Sequence, residues 1–244
     1  MDALAGRLGL VVLESDQVLE PEMRRALPED VDYHVARVRY TGVHEAGLAA
    51  ATRGVARAIR TLLPVHPDVI VWACTSASFY RGRRSHEALL NRLALLAPGV
   101  PTFTASAAVV RTLRRLHAVR LGVVAPYPPE INARLATFLQ EEGFVVDRLL
   151  ALYDRAVDDD TLQRTPGPRI REAIEAVARD ADAVLVSCTG LATLPLLDAV
   201  TEAVGRPVVS SNAAILAEAL AALPSPGPVR GFHALLRALA LRTA

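Results

Sequence analysis

The sequence predicts an α/β protein built from two duplicated parallel-sheet units that face each other. Three observations carry this. Short β-branched apolar runs alternate along the whole chain with longer stretches at helical spacing. The short runs are apolar without strict alternation, as strands buried on both faces of a parallel sheet require. And three segments recur in the same order. RLGLVVL at 7–13 matches RLGVVAP at 120–126, DVIVWACTSAS at 68–78 matches DAVLVSCTGLA at 182–192, and VPTFTASAAVV at 100–110 matches RPVVSSNAAIL at 206–216. The offsets are 113, 114 and 106 residues, far beyond a solenoid repeat of roughly 20–50.

In chain order, strands are expected at 8–13, 33–39, 69–73 and around 101–103, then at 120–125, 144–150, 183–187 and 207–209. Helices fill the gaps at 44–62, 84–96, 105–117, 129–142, 168–179, 191–204 and 211–222. The first copy is assigned to 1–117 and the second to 118–223, joined near 114–120. The remainder, 224–244, opens on the Pro/Gly break PSPGP. An amphipathic helix is expected at 229–241, laid back on the first copy.

Composition narrows the function. The 244 residues are 52% apolar, enough for a substantial core. The 27 basic and 26 acidic residues leave a formal net charge of +1, which gives no electrostatic case for nucleic acid or an anionic membrane surface. No signal-peptide pattern, no apolar run of transmembrane length and no N-x-S/T acceptor occurs. A soluble cytoplasmic protein is expected.

The chain has two cysteines, and it places both at matched points of the repeat, Cys74 in VIVWACTSAS and Cys188 in VLVSCTGLAT. Each follows a strand and precedes a helical stretch. Ligands of open parallel sheets bind beyond the C-terminal ends of strands, so the repeat predicts two thiols facing one cleft. A cysteine at a helix start has its pKa drawn down from about 8.5 toward roughly 3.5–7.5. Helix starts also hold carboxylates. The expected ligand is a small carboxylate between two thiols, one acting as base and the other as acid, with no metal or cofactor. The alternatives are blander: a lone cysteine is most often a small buried hydrophobe, and a disulfide does not suit a reducing compartment. A zinc site needs further ligands at finger-like spacing, which His66, His86, His117 and His233 do not supply; these read as surface or helix-end histidines. Nucleotide-loop and serine-hydrolase motifs are absent.

With these residues in view, the chain resembles the aspartate/glutamate racemase superfamily, and within it the arylmalonate decarboxylase and maleate cis-trans isomerase branch. The resemblance covers most of the chain and rests on CTSASFYRG at 74–82, SCTGLATL at 187–194 and the Pro-Tyr segment APYPPEIN at 125–132. It implies cofactor-independent chemistry through an enediolate or a covalent cysteine adduct. By position it implies Cys74 and Cys188 as the acid/base or nucleophilic pair, with Thr75, Ser76, Tyr127, Thr189 and Gly190 binding carboxylate oxygens. Two departures stand out. The decarboxylases carry glycine where Cys74 stands. The isomerases carry asparagine after the first strand, where LESDQVLEPEM puts Asp16. Asp16 is read either as a substrate contact favouring an amino or hydroxyl group, or as a helix cap or turn residue.

The leading function is therefore an isomerase or racemase of a small carboxylic acid. The alternatives are a malonate-type decarboxylase with Cys188 as proton donor, and a carboxylate-binding protein without turnover. The apolar faces of 191–204 and 211–222 fit either core packing or a homo-oligomer interface.

Overall fold

The computed structural model describes residues 5–224 and, beyond them, Leu235 and Leu239. It contains two four-stranded parallel sheets. The first comprises β1 (Gly6–Leu13), β2 (Val31–Val38), β3 (Val69–Trp72) and β4 (Thr102–Thr104) in the order β2-β1-β3-β4. The second comprises β5 (Arg120–Ala125), β6 (Val145–Ala151), β7 (Ala183–Val186) and β8 (Val208–Ser210) in the order β6-β5-β7-β8. In each sheet the chain leaves its first strand toward one edge and later returns to the other side. The crevice between β1 and β3, and that between β5 and β7, are therefore the switch points where an open α/β sheet binds ligands.

The repeated residues repeat their physical jobs. Asp68 and Asp182, which open the matched segments, each turn a carboxylate onto the start of the neighbouring first strand: Asp68 accepts from the Arg7 N–H at 2.7 Å, Asp182 from those of Val119 and Arg120 at 2.9 and 2.7 Å. This sets the register of β3 on β1 and of β7 on β5. All residues of β3 and β7 are buried, which is why their sequences are apolar on both faces. The edge strand β6 is largely exposed or half-buried.

Helices flank the sheets: α1 (Leu19–Ala26), α2 (Glu45–Leu62), α3 (Thr75–Phe79), α4 (Gly82–Leu96) and α5 (Ala105–Arg115), then α6 (Pro129–Glu141), α7 (Asp159–Gln163), α8 (Gly167–Val177), α9 (Leu194–Val204) and α10 (Ser211–Ala222). The Thr104 and Ser210 hydroxyls cap the equivalent helices α5 and α10 by accepting from Ala107 and Ala213 N–H. These two helices pack on each other and join the copies. Glu218 of α10, nearly buried, meets Arg111 and Arg115 of α5. Ten consecutive residues of α10, Ser211–Leu220, are buried within the chain, so its apolar faces are accounted for as core.

Several expectations need correction. Helix α9 begins at Leu194 rather than 191, because residues 189–193 form a turn beyond Cys188 held by side-chain hydrogen bonds. Helix α1 starts where the cap reading of Asp16 placed a helix and α3 follows Cys74 as expected, whereas the short helix α7 was not foreseen as an element. His86 is a buried core side chain, 2.7 Å from the Thr104 hydroxyl and pushed down to about 4 by burial. The expected helix at 229–241 lies outside the described residues apart from Leu235 and Leu239, both buried. Among the described residues no helix is long and apolar enough to cross a membrane.

Gly122 in β5 marks a close approach. A Cβ there would lie 2.2 Å from the Val177 carbonyl oxygen at the end of α8, whereas at the equivalent Gly9 the nearest atom is an Ile70 side-chain carbon at 3.1 Å. Backbone cannot move aside as a side chain can. Gly122→Ala is expected to lower stability by roughly 2–3 kcal/mol and Gly9→Ala by less than about 1 kcal/mol. Chemical denaturation of both variants measures this, and equal losses would contradict the packing account.

Candidate active site

The crevices of the two sheets open onto one cavity. The first copy lines it with Ser15 and Asp16 after β1, Tyr40 and Val43 after β2, and Cys74, Thr75 and Ser76 after β3. The second lines it with Tyr127 after β5, Asp159, Leu162 and Gln163 of α7, and Cys188, Thr189 and Gly190 after β7. All eight residues singled out in the sequence thus meet at one place. The cavity is small, ≈ 40 Å³, against roughly 10–15 Å³ for one water. A few-carbon acid suits it better than a large ring.

Cys74 caps α3 from an ordinary extended conformation (φ −133°) and lies 3.8 Å from the Ser76 hydroxyl. The N–H groups of a first helical turn have no partner within the helix, so those of Thr75 and Ser76 are available beside the thiol. Cys188 differs. Its φ is +139°, a conformation that side-chain-bearing residues rarely adopt. It is held there from both sides: its N–H donates to the Ser211 hydroxyl at 3.1 Å, and the Gly190 N–H donates to its sulfur at 3.3 Å.

The expectation of acidic thiols is reversed. Burial pushes Cys74 up to about 11; the Ala77 N–H and the Ser76 hydroxyl pull the other way, while Asp159 and Asp16 add to the rise. Burial likewise pushes Cys188 up to about 12, against the Gly190 N–H and with Cys74 adding to the rise. Helix α3 has five residues, too few for a strong dipole, and desolvation wins. Both thiols rest protonated at neutral pH.

The copies share their polar groups across the cavity floor. The Thr75 hydroxyl donates to Ser211 Oγ at 2.9 Å, and the Thr189 hydroxyl donates to the Ala73 carbonyl at 3.3 Å. Tyr127, fully buried, pairs with Ser187 Oγ at 3.2 Å, and burial first, then the neighbouring Cys188, keeps its proton on. Behind the Cys188 loop, the buried Glu22 of α1 accepts from the Thr193 and Leu194 N–H groups and from Asn212 Nδ2 at 2.7–2.9 Å. Burial pushes Glu22 up to about 7. Asn212 Nδ2 also reaches the carbonyls of Thr189 and Leu191.

Asp16 lines the cavity, yet its carboxylate first caps α1: its oxygens accept from Leu19 and Glu20 N–H at 3.1 and 3.2 Å. Over the mouth, the turn after β1 is latched to α7 of the other copy. Ser15 Oγ donates to Asp159 Oδ2, the Gln17 N–H donates to Gln163 Oε1 at 2.7 Å, and Gln163 Nε2 donates to the Ser15 carbonyl at 3.0 Å. Leu162 and Gln163 settle onto Gly190, where a Cβ would come within 2.9 Å of Leu162.

A family model described as arylmalonate decarboxylase matches residues 8–236. The chain belongs to this family. Among curated relatives it is 29% identical over 241 residues to a maleate isomerase of Nocardia farcinica, covering 95% of each chain. It is 31% identical over 211 residues to the arylmalonate decarboxylase of Bordetella bronchiseptica, covering 85% of this chain and 86% of that one. Among solved structures it superposes with a TM-score of 0.85, at 28% identity, on a cysteine-to-serine mutant of the Nocardia farcinica maleate cis-trans isomerase carrying a covalently bound succinylcysteine intermediate. That match covers 95% of this chain and 98% of the other. A liganded arylmalonate decarboxylase variant with one cysteine introduced and another replaced by serine superposes with a TM-score of 0.82 at 28% identity, covering 92% and 95% of the two chains.

Within this family fold, sequence reasoning missed Tyr40, Asp159, Gln163 and Ser211. The run DDDTLQ at 158–163 does carry a helix-cap signal, and Asp158 accepts from Thr161 N–H. Nothing local says that this helix lands on the opposite copy. Ser211 stands where the first copy has Ala105, so the repeat itself hid it.

The buried thiols make a pH prediction. Their pKa values are raised on folding, so between the ordinary thiol value near 9.0 and about 11–12 the folded state binds more protons than the unfolded one. Their contribution to stability is complete below pH 9 and declines as pH climbs through that window. Thiolate absorbance in the ultraviolet is expected to appear only above about pH 9.5 in the folded protein. Titration of either thiol below pH 8 would contradict the burial argument.

Proposed function

We propose that the protein is a cofactor-independent isomerase of a small carboxylic acid, acting through two thiols that address the reacting carbon from opposite copies. The observation that carries this is that Cys74 and Cys188 end equivalent strands and line one cavity. The substrate carboxylate would lie against the first-turn N–H groups of Thr75 and Ser76, with the Tyr127 hydroxyl and the turn at Thr189 and Gly190 completing an oxyanion site for an enediolate. In an inversion, the thiolate of one cysteine takes the proton from one face of the carbon and the thiol of the other returns one to the opposite face. In a cis-trans isomerisation, the Cys74 sulfur bonds to one alkene carbon and the π pair passes into the carboxylate as an enediolate. Cys188 protonates the adjacent carbon. Rotation and reversal of both steps release the product. The succinylcysteine seen in the Nocardia farcinica isomerase supports the second route.

Forming the thiolate is affordable. A thiol raised to about 11 is ionised at pH 7 in about one molecule in 10⁴, a penalty of about 5 kcal/mol, and bound cationic or N–H groups reduce it. A cytoplasmic setting suits two thiols that must stay reduced. The partner is a small carboxylate, with no nucleic acid or membrane surface involved.

Cys74→Ser and Cys188→Ser are each expected to reduce isomerisation by at least about 10³-fold while the far-UV spectrum is unchanged. The readout is product formation and deuterium uptake from D₂O by NMR. If Cys74→Gly retains turnover with release of carbon dioxide, the protein is a decarboxylase working through Cys188. If no acid exchanges a proton in the wild type, it is a binding protein.

A further inference from the structure

The charges around the cavity are one-sided. Two carboxylates line it, Asp16 and Asp159, and among the described residues no Arg, Lys or His side chain does. Arg37 is nearby, but its guanidinium is bonded to the carbonyls of Leu13, Glu14 and Asp16 and to the Glu20 carboxylate at 2.6 Å. The two aspartates are not equivalent. Both Asp16 oxygens are taken by α1 N–H groups. Asp159 accepts from Ser15 through Oδ2, and among the described residues its Oδ1 has no hydrogen-bond partner. A second, independent feature stands beside it. The Tyr40 side chain is 8% exposed and lines the same cavity, and its hydroxyl has no hydrogen-bond partner among the described residues. Burial keeps the Tyr40 proton in place, and Cys74, Asp159 and Cys188, which line the same cavity, reinforce this.

We propose that Asp159 Oδ1 and the Tyr40 hydroxyl form a subsite for a protonated amine on the substrate, so that the preferred substrate is a small aminated carboxylic acid rather than a plain dicarboxylate. This rests on the two-thiol reading and names its substrate class. A carboxylate oxygen and a hydroxyl oxygen in one cavity, without partners among the described residues, can both accept from the N–H donors of a ligand. A dicarboxylate would bring two carboxylates to a space that two aspartates line and in which no cationic side chain among the described residues offsets them. An aminated acid divides its charges correctly: the carboxylate goes to the N–H groups after β3, and the ammonium goes to the side that carries the aspartates. A cation so placed also favours the thiolate that the reaction requires.

The test is binding selectivity, read by thermal-shift titration with matched pairs: aspartate against succinate, and alanine against propionate. Asp159→Asn removes the charge while leaving an oxygen to accept from Ser15, and Tyr40→Phe removes one oxygen from an otherwise retained ring. The wild type is expected to bind each aminated acid at least about 10-fold more tightly than its partner, a difference of about 1.4 kcal/mol. Asp159→Asn is expected to abolish or invert that preference, and Tyr40→Phe to shrink it. Equal or tighter binding of the unaminated acids by the wild type overturns the subsite, and a preference that survives either substitution overturns that residue's part in it. If Asp159→Asn does not fold, Tyr40→Phe alone decides. Failure here is separable from failure of the two-thiol reading. Should succinate or maleate bind best and still require both cysteines for deuterium uptake, the thiols stand and the amine subsite falls. Should aminated acids bind selectively while Cys74→Ser and Cys188→Ser leave deuterium uptake unchanged, the subsite stands and the thiol pair falls.

Discussion

One buried hydroxyl ties the site together. Ser211 Oγ accepts from the Thr75 hydroxyl of the first copy and from the Cys188 N–H of the second, and its residue is fully buried. A duplicated α/β unit ends its central strands in loops whose polar groups cannot all be met at home. Where two copies face each other, those groups meet across the seam or are stranded, and a stranded one costs about 1–3 kcal/mol. Ser211 answers for two of them at once. Thr189 reaching the Ala73 carbonyl, and Glu22 reaching the start of α9, do the same for others. The cavity is what remains between loops that are fixed in this way.

The fixing also explains the site's asymmetry. Cys74 sits in relaxed extended backbone at a helix start, while Cys188 is held at φ +139° by donors on either side. Strain of this kind persists only where the surroundings over-determine it. The burial that protects the seam also desolvates its ionisable groups, so that both thiols, Glu22 and Asp16 are all pushed upward. The resting cavity thus holds two thiol protons. On the proposed mechanism, the chemistry begins when a ligand supplies the countercharge that lets one of them leave.

Much of this was legible in the sequence because the duplication made it so. Two occurrences of Asp, four apolar residues, one small residue and then a cysteine mark the strands, the switch points and the shared cavity; Cys74, Thr75, Ser76, Cys188, Thr189 and Gly190 come from those segments and line it together with Asp16 and Tyr127. What was not legible is of two kinds. The acidity of the thiols depends on how deeply the cleft is buried and on α3 stopping after five residues, neither of which a local motif records. Tyr40, in the loop after edge strand β2, and Asp159 and Gln163, in α7 after edge strand β6, lie outside the repeated segments and reach the site through tertiary packing alone. Asp16 was legible in both of its readings, and the structure makes it a cap at the cavity wall.

The central claim is that the two thiols flank one reacting carbon. A crystal structure of the protein with a small saturated acid bound tests it most directly. The account predicts the acid's carboxylate against the N–H groups of Thr75 and Ser76, and its α-carbon between the sulfurs of Cys74 and Cys188. An acid that contacts one sulfur alone, or that settles outside the cavity roofed by α7, would contradict it.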